Sequence, residues 1–147
     1  MTKSEVIAAD VSALLRARNP LLWIVTREEG RVEQHLFRAV GKAGYVPRTW
    51  DVGQGVVDMG GKPFRFPGQE PDALVRDPGE ILTRIDQRAK ARPEETDRCA
   101  WILRDLPPWL NGPMFAGTVR QVRNLCRTLP GIARDTAQAL IVISACQ

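Results

Sequence analysis

Residues 21–31 read LLWIVTREEGR, and this stretch decides the fold. Leu21 to Thr26 is a short run, apolar at consecutive rather than alternate positions. That pattern fits a strand covered on both faces, as in a parallel sheet. From Glu28 to Ala43 the period changes: Val32, Leu36, Ala39, Val40 and Ala43 recur at helical spacing. Glu28 and Glu29 fall in the first turn, where the helix dipole favours negative charge. Gly44 suits the C-terminal cap.

The same alternation extends in both directions. Upstream, Thr2 to Ala17 reads as a helix with capping-box spacing at Thr2 and Glu5 and an apolar face of Ile7, Val11, Leu14 and Leu15. Asn19-Pro20 stops it, because proline disfavours helical backbone in the residue before it. Downstream, Tyr45 to Val52 reads as a second strand. Val56 to Met59 and Pro63 to Phe66 flank Gly60-Gly61, which suggests a β-hairpin insertion. Asp77-Pro78-Gly79-Glu80 opens a helix with Ile81, Leu82, Ile85 and Ala89 inward. Cys99 to Leu103 is a third strand, Phe115 to Leu129 a helix facing inward through Val119, Val122, Leu125, Cys126 and Leu129, and Ala139 to Ser144 a fourth strand.

The order is α-β-α-β-hairpin-α-β-α-β. Apolar strands alternating with amphipathic helices predict right-handed crossovers and an α/β three-layer sandwich with a mostly parallel sheet. The 147 residues suit a single domain. No run approaches the roughly 18 apolar residues of a membrane span, and MTKSEVIAAD has no apolar stretch of signal-peptide type. A cytoplasmic protein is expected. Cys99, Cys126 and Cys146 show no CxxC or metal spacing and read as reduced thiols. The net charge of +4 permits an anionic partner without arguing for one.

In a parallel sheet, ligands bind beyond the carboxyl ends of the strands. A phosphate cradle there needs GxxxxGK[ST], whose glycines let backbone N–H groups wrap the phosphates while the lysine reaches them. After the first strand stands Thr26-Arg27-Glu28-Glu29-Gly30-Arg31 instead, with one glycine, no lysine and two carboxylates. Asp105, after the third strand, can occupy the place of a Mg²⁺-holding acid, although an aspartate before a proline-rich segment is also a common turn initiator. Gly53-x-Gly55 and Gly60-Gly61 do not sit at a strand-to-helix turn of the kind a cradle requires. His35 is the single histidine and has no triad or zinc partner in the pattern.

Two other features suit contact surfaces. LPPWLNGPMF (Leu106 to Phe115) places Trp109, Leu110, Met114 and Phe115 in a proline-rich loop on the ligand-bearing edge. Arg120, Arg123 and Arg127 share one helical face, with Arg134 beyond Pro130-Gly131. They read either as a binding stripe or as the solvated back of an amphipathic helix.

These pieces together resemble the N-terminal domain of an uncharacterised AAA+ ATPase family with cyanobacterial, plastid, bacterial and phage members. The resemblance is carried by LLRARNPLLWIVTREEGRVE (14–33), the Trp50 strand, DPGEIL (77–82), WILRDLPPWL (101–110), VRQVRNLCRTL (119–129) and ALIVIS (139–144). It covers nearly the whole chain and implies P-loop NTPase-like (RecA/AAA-like) topology with degenerate nucleotide motifs. By that likeness Thr26, Arg27, Glu28 and Glu29 occupy the lost Walker A place, Asp105 the Walker B place and Ser144 a sensor place. It implies a truncated domain, since the family continues into a fifth strand, a small lid and a catalytic domain.

The expected function is therefore a non-catalytic interaction or oligomer-assembly domain of an AAA+ system. No catalytic residues, cofactor or metal are expected. Partners would be a protein, a second copy, or an AAA+ ATPase domain in cis or in trans, with no membrane. The first alternative is nucleic-acid binding by the basic helix face. The second is an atypical nucleotide-dependent enzyme using Glu28, Glu29 and Asp105 as a carboxylate cluster.

Overall fold

A computed structural model describes residues 3–69 and 73–145, with the side chain of Ser4 left aside. Thr2, which the capping-box reading invokes, and Cys146 lie outside the described residues. Four helices and five strands follow in the order α1 (Lys3–Arg16), β1 (Leu21–Val25), α2 (Glu29–Lys42), β2 (Val46–Asp51), β3 (Gly55–Asp58), α3 (Pro78–Lys90), β4 (Cys99–Arg104), α4 (Ala116–Thr128) and β5 (Gln138–Ser144). The spatial order of the sheet is β1-β5-β4-β2-β3. Its first four members are parallel, and β3 runs antiparallel to β2 along the edge.

Both faces of the sheet are covered, which makes the fold a three-layer α/β sandwich. On one face α1 and α2 bury Val11, Leu15, Val32, Leu36 and Val40 against Leu22, Ile24, Ala100, Ile102, Ile141 and Ile143. On the other, α3 and α4 bury Ile81, Leu82, Ile85, Val122 and Leu125 against Trp50, Trp101, Leu103, Leu140 and Val142. β4 and β5 are the central strands and are buried along almost their whole length, which is why their sequences are apolar without alternation. Trp101 and Trp50 are completely buried, and each indole N–H finds an acceptor: Gln138 Oε1 at 2.8 Å and the Val75 carbonyl at 2.7 Å.

β1 differs from its sequence reading. It is an edge strand, with β5 on one side and, among the described residues, no strand on the other. Leu22 and Ile24 are buried beneath α1 and α2, but Trp23 is 46% and Val25 44% exposed. The run is apolar on both faces, yet only one face is fully covered.

The hairpin expected at Gly60-Gly61 is present in short form: Asp58 donates to the Lys62 carbonyl at 2.8 Å and Phe64 to that of Val56 at 2.9 Å across the turn. A longer hairpin, which the sequence reading did not place, precedes it. Its two strands are β2 and β3, joined at residues 52–54, where the Asp51 carboxylate accepts from the Gly53 and Gln54 N–H groups at 2.8 Å each. The strand expected over 63–66 shrinks to a single bridge between Val57 and Pro63. Pro63 has no N–H to extend a ladder. Pro47 is tolerated within β2 because it precedes the start of the β2–β3 ladder at Arg48, while Val46 donates to Arg98 on the β4 side.

At the amino end of the sheet lies a partly buried ionic cluster. Arg48 donates two bonds of 2.8 Å to Asp97, and Arg88 donates a third. The Arg48 guanidinium lies 4.2 Å over the Phe64 ring. Cys99, beside it, is buried, and burial pushes its thiol up to about 12.

Candidate functional site

The carboxyl ends of β1, β4 and β5 meet where a parallel sheet places its ligands. β5 ends at the buried Ser144, whose carbonyl accepts from the Thr26 N–H at 2.8 Å. Thr26 Oγ1 then accepts from the Glu28 N–H at 3.1 Å, so the strand-to-helix connection is closed by its own hydroxyl. Glu28 occupies the N-cap of α2 without a side-chain capping bond and pairs with Arg31 at 3.5 Å. Arg27 is exposed.

One turn into α2, Glu33 is buried, and Arg104 from the end of β4 accounts for it. Arg104 Nε lies 3.0 Å from both Glu33 oxygens, Nη2 also reaches Oε1, and Nη1 reaches Asp51 at 3.2 Å. Bonds from an arginine fork to two carboxylates hold three elements (α2, β2 and β4) in one arrangement. The Glu33 hydrogen bonds hold the Arg104 proton even more firmly than usual.

Glu29 lies next to this network. Burial, then the charges of Asp105 and Glu33, push its carboxyl above the usual range, against the opposing pull of Arg104. Its Oε1 is buried without a hydrogen-bond partner among the described residues. Asp105 follows β4 with φ of +57°, in the left-handed region where aspartate is one of the few tolerated side chains. Its N–H donates to Ile143 at 3.0 Å and its side chain is exposed.

The structure thus gathers Thr26, Glu28, Glu29, Asp105 and Ser144 at one end of the sheet. Among the described residues no group of three His, Cys, Asp or Glu side chains is arranged to hold a metal ion. The residues that dominate the electrostatics there, Glu33, Asp51 and Arg104, were not singled out by pattern. A signal existed for Glu33: it stands four residues after Glu29, beside the apolar stripe of α2, where a carboxylate needs a partner.

The contact-surface residues divide by environment. Trp109 and Leu110, in the 3-10 turn at Pro107–Leu110, are partly buried against the core of the α3–α4 face. Trp109 meets Phe115 edge to face at 5.4 Å. Met114 projects into solvent at 86% exposure. Arg120, Arg123 and Arg127 are exposed on α4, as is Arg134 in its own short turn. Arg127 borders a groove of about 330 Å³ between α3 and α4, together with Asp86, Lys90, Gln121 and Asn124. His35 is half-buried on α2 and borders a different groove, against α1. No described helix is long and apolar enough to cross a membrane.

No curated protein matches the chain. A family model does, over residues 7–147, so that nearly every element above takes part in the match. The chain belongs to the family of SpoVK-like AAA ATPase N-terminal domains.

Proposed function

We propose that the chain is a non-catalytic interaction or assembly domain of an AAA+ ATPase system, in which the phosphate-binding place has been given over to internal ion pairing. The carrying observation is Arg104 held between Glu33 and Asp51 at the end of the sheet. A cation that could meet a nucleotide phosphate is already neutralised by the chain's own carboxylates. Glu28, Glu29 and Asp105 add negative charge around it, and like charges facing a triphosphate weaken binding. Family membership supports the connection to an AAA+ domain, in cis or in trans.

The contacting surface would be the loop bearing Trp109, Leu110, Met114 and Phe115, continued by Arg120, Arg123 and Arg127 on α4. Trp109 and Phe115 brace each other and the core, which leaves Met114 as a solvent-facing apolar contact. Titration calorimetry with ATP and Mg²⁺ is expected to show no heat of binding at millimolar nucleotide. Tight Mg²⁺-dependent binding would sink the reading. Met114→Asp should weaken capture of a cognate AAA+ domain while leaving the chain folded.

The exposed arginines of α4 support a second reading, nucleic-acid binding. It requires an affinity that falls steeply with salt and falls further on Arg123→Glu. Absent or salt-insensitive binding removes it.

A further inference from the structure

We infer that the groove between α1 and α2 binds a phosphate monoester, held by Arg38, Lys42 and the Ser12 hydroxyl. The two helices run side by side in the same sense: Arg16, in the last turn of α1, donates to the carbonyl of Lys42, in the last turn of α2, at 3.3 Å. Small residues line the seam. Ala8 and Ser12 of α1 and Ala39 of α2 are buried there and leave a groove of about 440 Å³. Leu36 and Val40 of α2 face the core, so the groove opens away from the sheet. Its volume lies within the roughly 300–1,000 Å³ of small-molecule sites.

Ser12 is the polar group on the floor. It is 7% exposed, and its Oγ has no hydrogen-bond partner among the described residues. A serine within a helix commonly returns its proton to the carbonyl one turn back. This one does not, and a buried hydroxyl left unpaired costs stability. A ligand oxygen in the groove would supply the missing acceptor, with rotation about χ1 turning the Oγ toward it.

The rim on the α2 side carries His35, Arg38 and Lys42, which share one face at spacings of three and four. Elsewhere the helical cations are matched: Arg31 pairs with Glu28, Arg84 with Glu80 and Lys90 with Asp86. Arg38 and Lys42 have no ion-pair partner among the described residues, and as like charges one turn apart they repel each other. The helix dipole accounts for Arg16 and Lys42, which lie in last turns, but not for Arg38. Glu5, the acid on the groove, lies about 10 Å along α1 from Ser12. The Ser12 end is therefore cationic. A carboxylate would bring one charge and two oxygens to it. A phosphate monoester brings nearly two charges and three terminal oxygens, which matches two fixed cations and one hydroxyl donor. The rest of the groove, floored by Ala8 and Ala39, would hold the organic part of the ester.

The test uses the whole 147-residue chain. Amide chemical shifts are followed as inorganic phosphate, glycerol phosphate or a phosphoserine peptide is added at constant ionic strength. Saturable changes at Ser12, His35, Arg38 and Lys42 are expected at millimolar concentrations or below. Tighter binding of glycerol phosphate assigns the site to a small phosphorylated molecule, and tighter binding of the peptide assigns it to a phosphorylated protein. Arg38→Gln should weaken binding about tenfold or more, with the fold unchanged by circular dichroism. Ser12→Ala should weaken it several-fold and leave the ligand-free chain no less stable, because it removes an unpaired hydroxyl. Shifts that chloride reproduces, no saturation at millimolar phosphate, an affinity indifferent to both variants, or a ligand-free Ser12→Ala chain less stable than its parent would each overturn the inference. Nucleotide binding that survives Arg38→Gln would count against the reading of the sheet end and leave this site standing.

Discussion

At Asp97 two guanidiniums converge on one carboxylate. Burial pushes its pKa up, but hydrogen bonds and charge from Arg48 and Arg88 outweigh this and hold it below the usual range. For an acid depressed in the folded state, the stabilisation is present above the unfolded pKa and is lost as pH falls through the folded one. Asp97→Asn strands two buried arginines whose Nε atoms already lack partners among the described residues. It should cost about 2 kcal/mol in urea unfolding at pH 7, less than the roughly 3–5 of a fully buried pair because Asp97 reaches water. Glu29 has the opposite sign. Its carboxyl is raised in the folded state, so the folded form binds the proton more tightly and stability falls as pH rises from the ordinary glutamate range through the raised value. Glu29→Gln should therefore stabilise the chain at pH 7, by up to about 0.5 kcal/mol for a half-buried group that water still screens, and the gain should vanish near pH 4.

Among the elements, α3 is the one whose start is written most plainly. Asp77 accepts from the Glu80 N–H at 3.0 Å, and Pro78 occupies the first helical position, as the DPGE pattern requires. Asp77→Ala should cost about 1 kcal/mol by thermal unfolding, since one orphan N–H of the first turn loses its acceptor. Helices and parallel strands were legible in this way because their signals are local: a cap, a period of apolar residues, a stop. The β2–β3 hairpin was not. Its turn carries no glycine pair, and Asp51 shapes it by accepting from the backbone at 53 and 54, as Asp58 does from Gly60 and Lys62 at the next turn. Strand β1 was legible as a strand, but its place at the sheet edge was not, because an apolar pentapeptide reads the same whether its second face is buried or bare.

For the whole molecule, the ion-paired end of the sheet leads to a direct measurement, nucleotide titration. Arg104→Met, which removes the shared cation, should destabilise the fold by about 3 kcal/mol by leaving Glu33 buried without its partner. It should not create ATP binding, because the carboxylates remain; nucleotide-dependent thermal shift of the variant checks both points. The sequence by itself determined the alternation of elements, the three layers and most of the residues that fill them, because burial periodicity and capping act within a few residues of each other; Leu14, read as inward, is exposed, as are Trp23 and Val25. It also showed acidic residues where a phosphate cradle would need glycines and lysine. Only the tertiary structure decided that Glu33, Asp51 and Arg104 form one network, since residues separated by 53 and 71 positions are joined by the crossing of strands rather than by spacing. It alone decided which strand lies at the edge, because strand order follows from how the crossovers pack on the two faces, and no single strand carries that information.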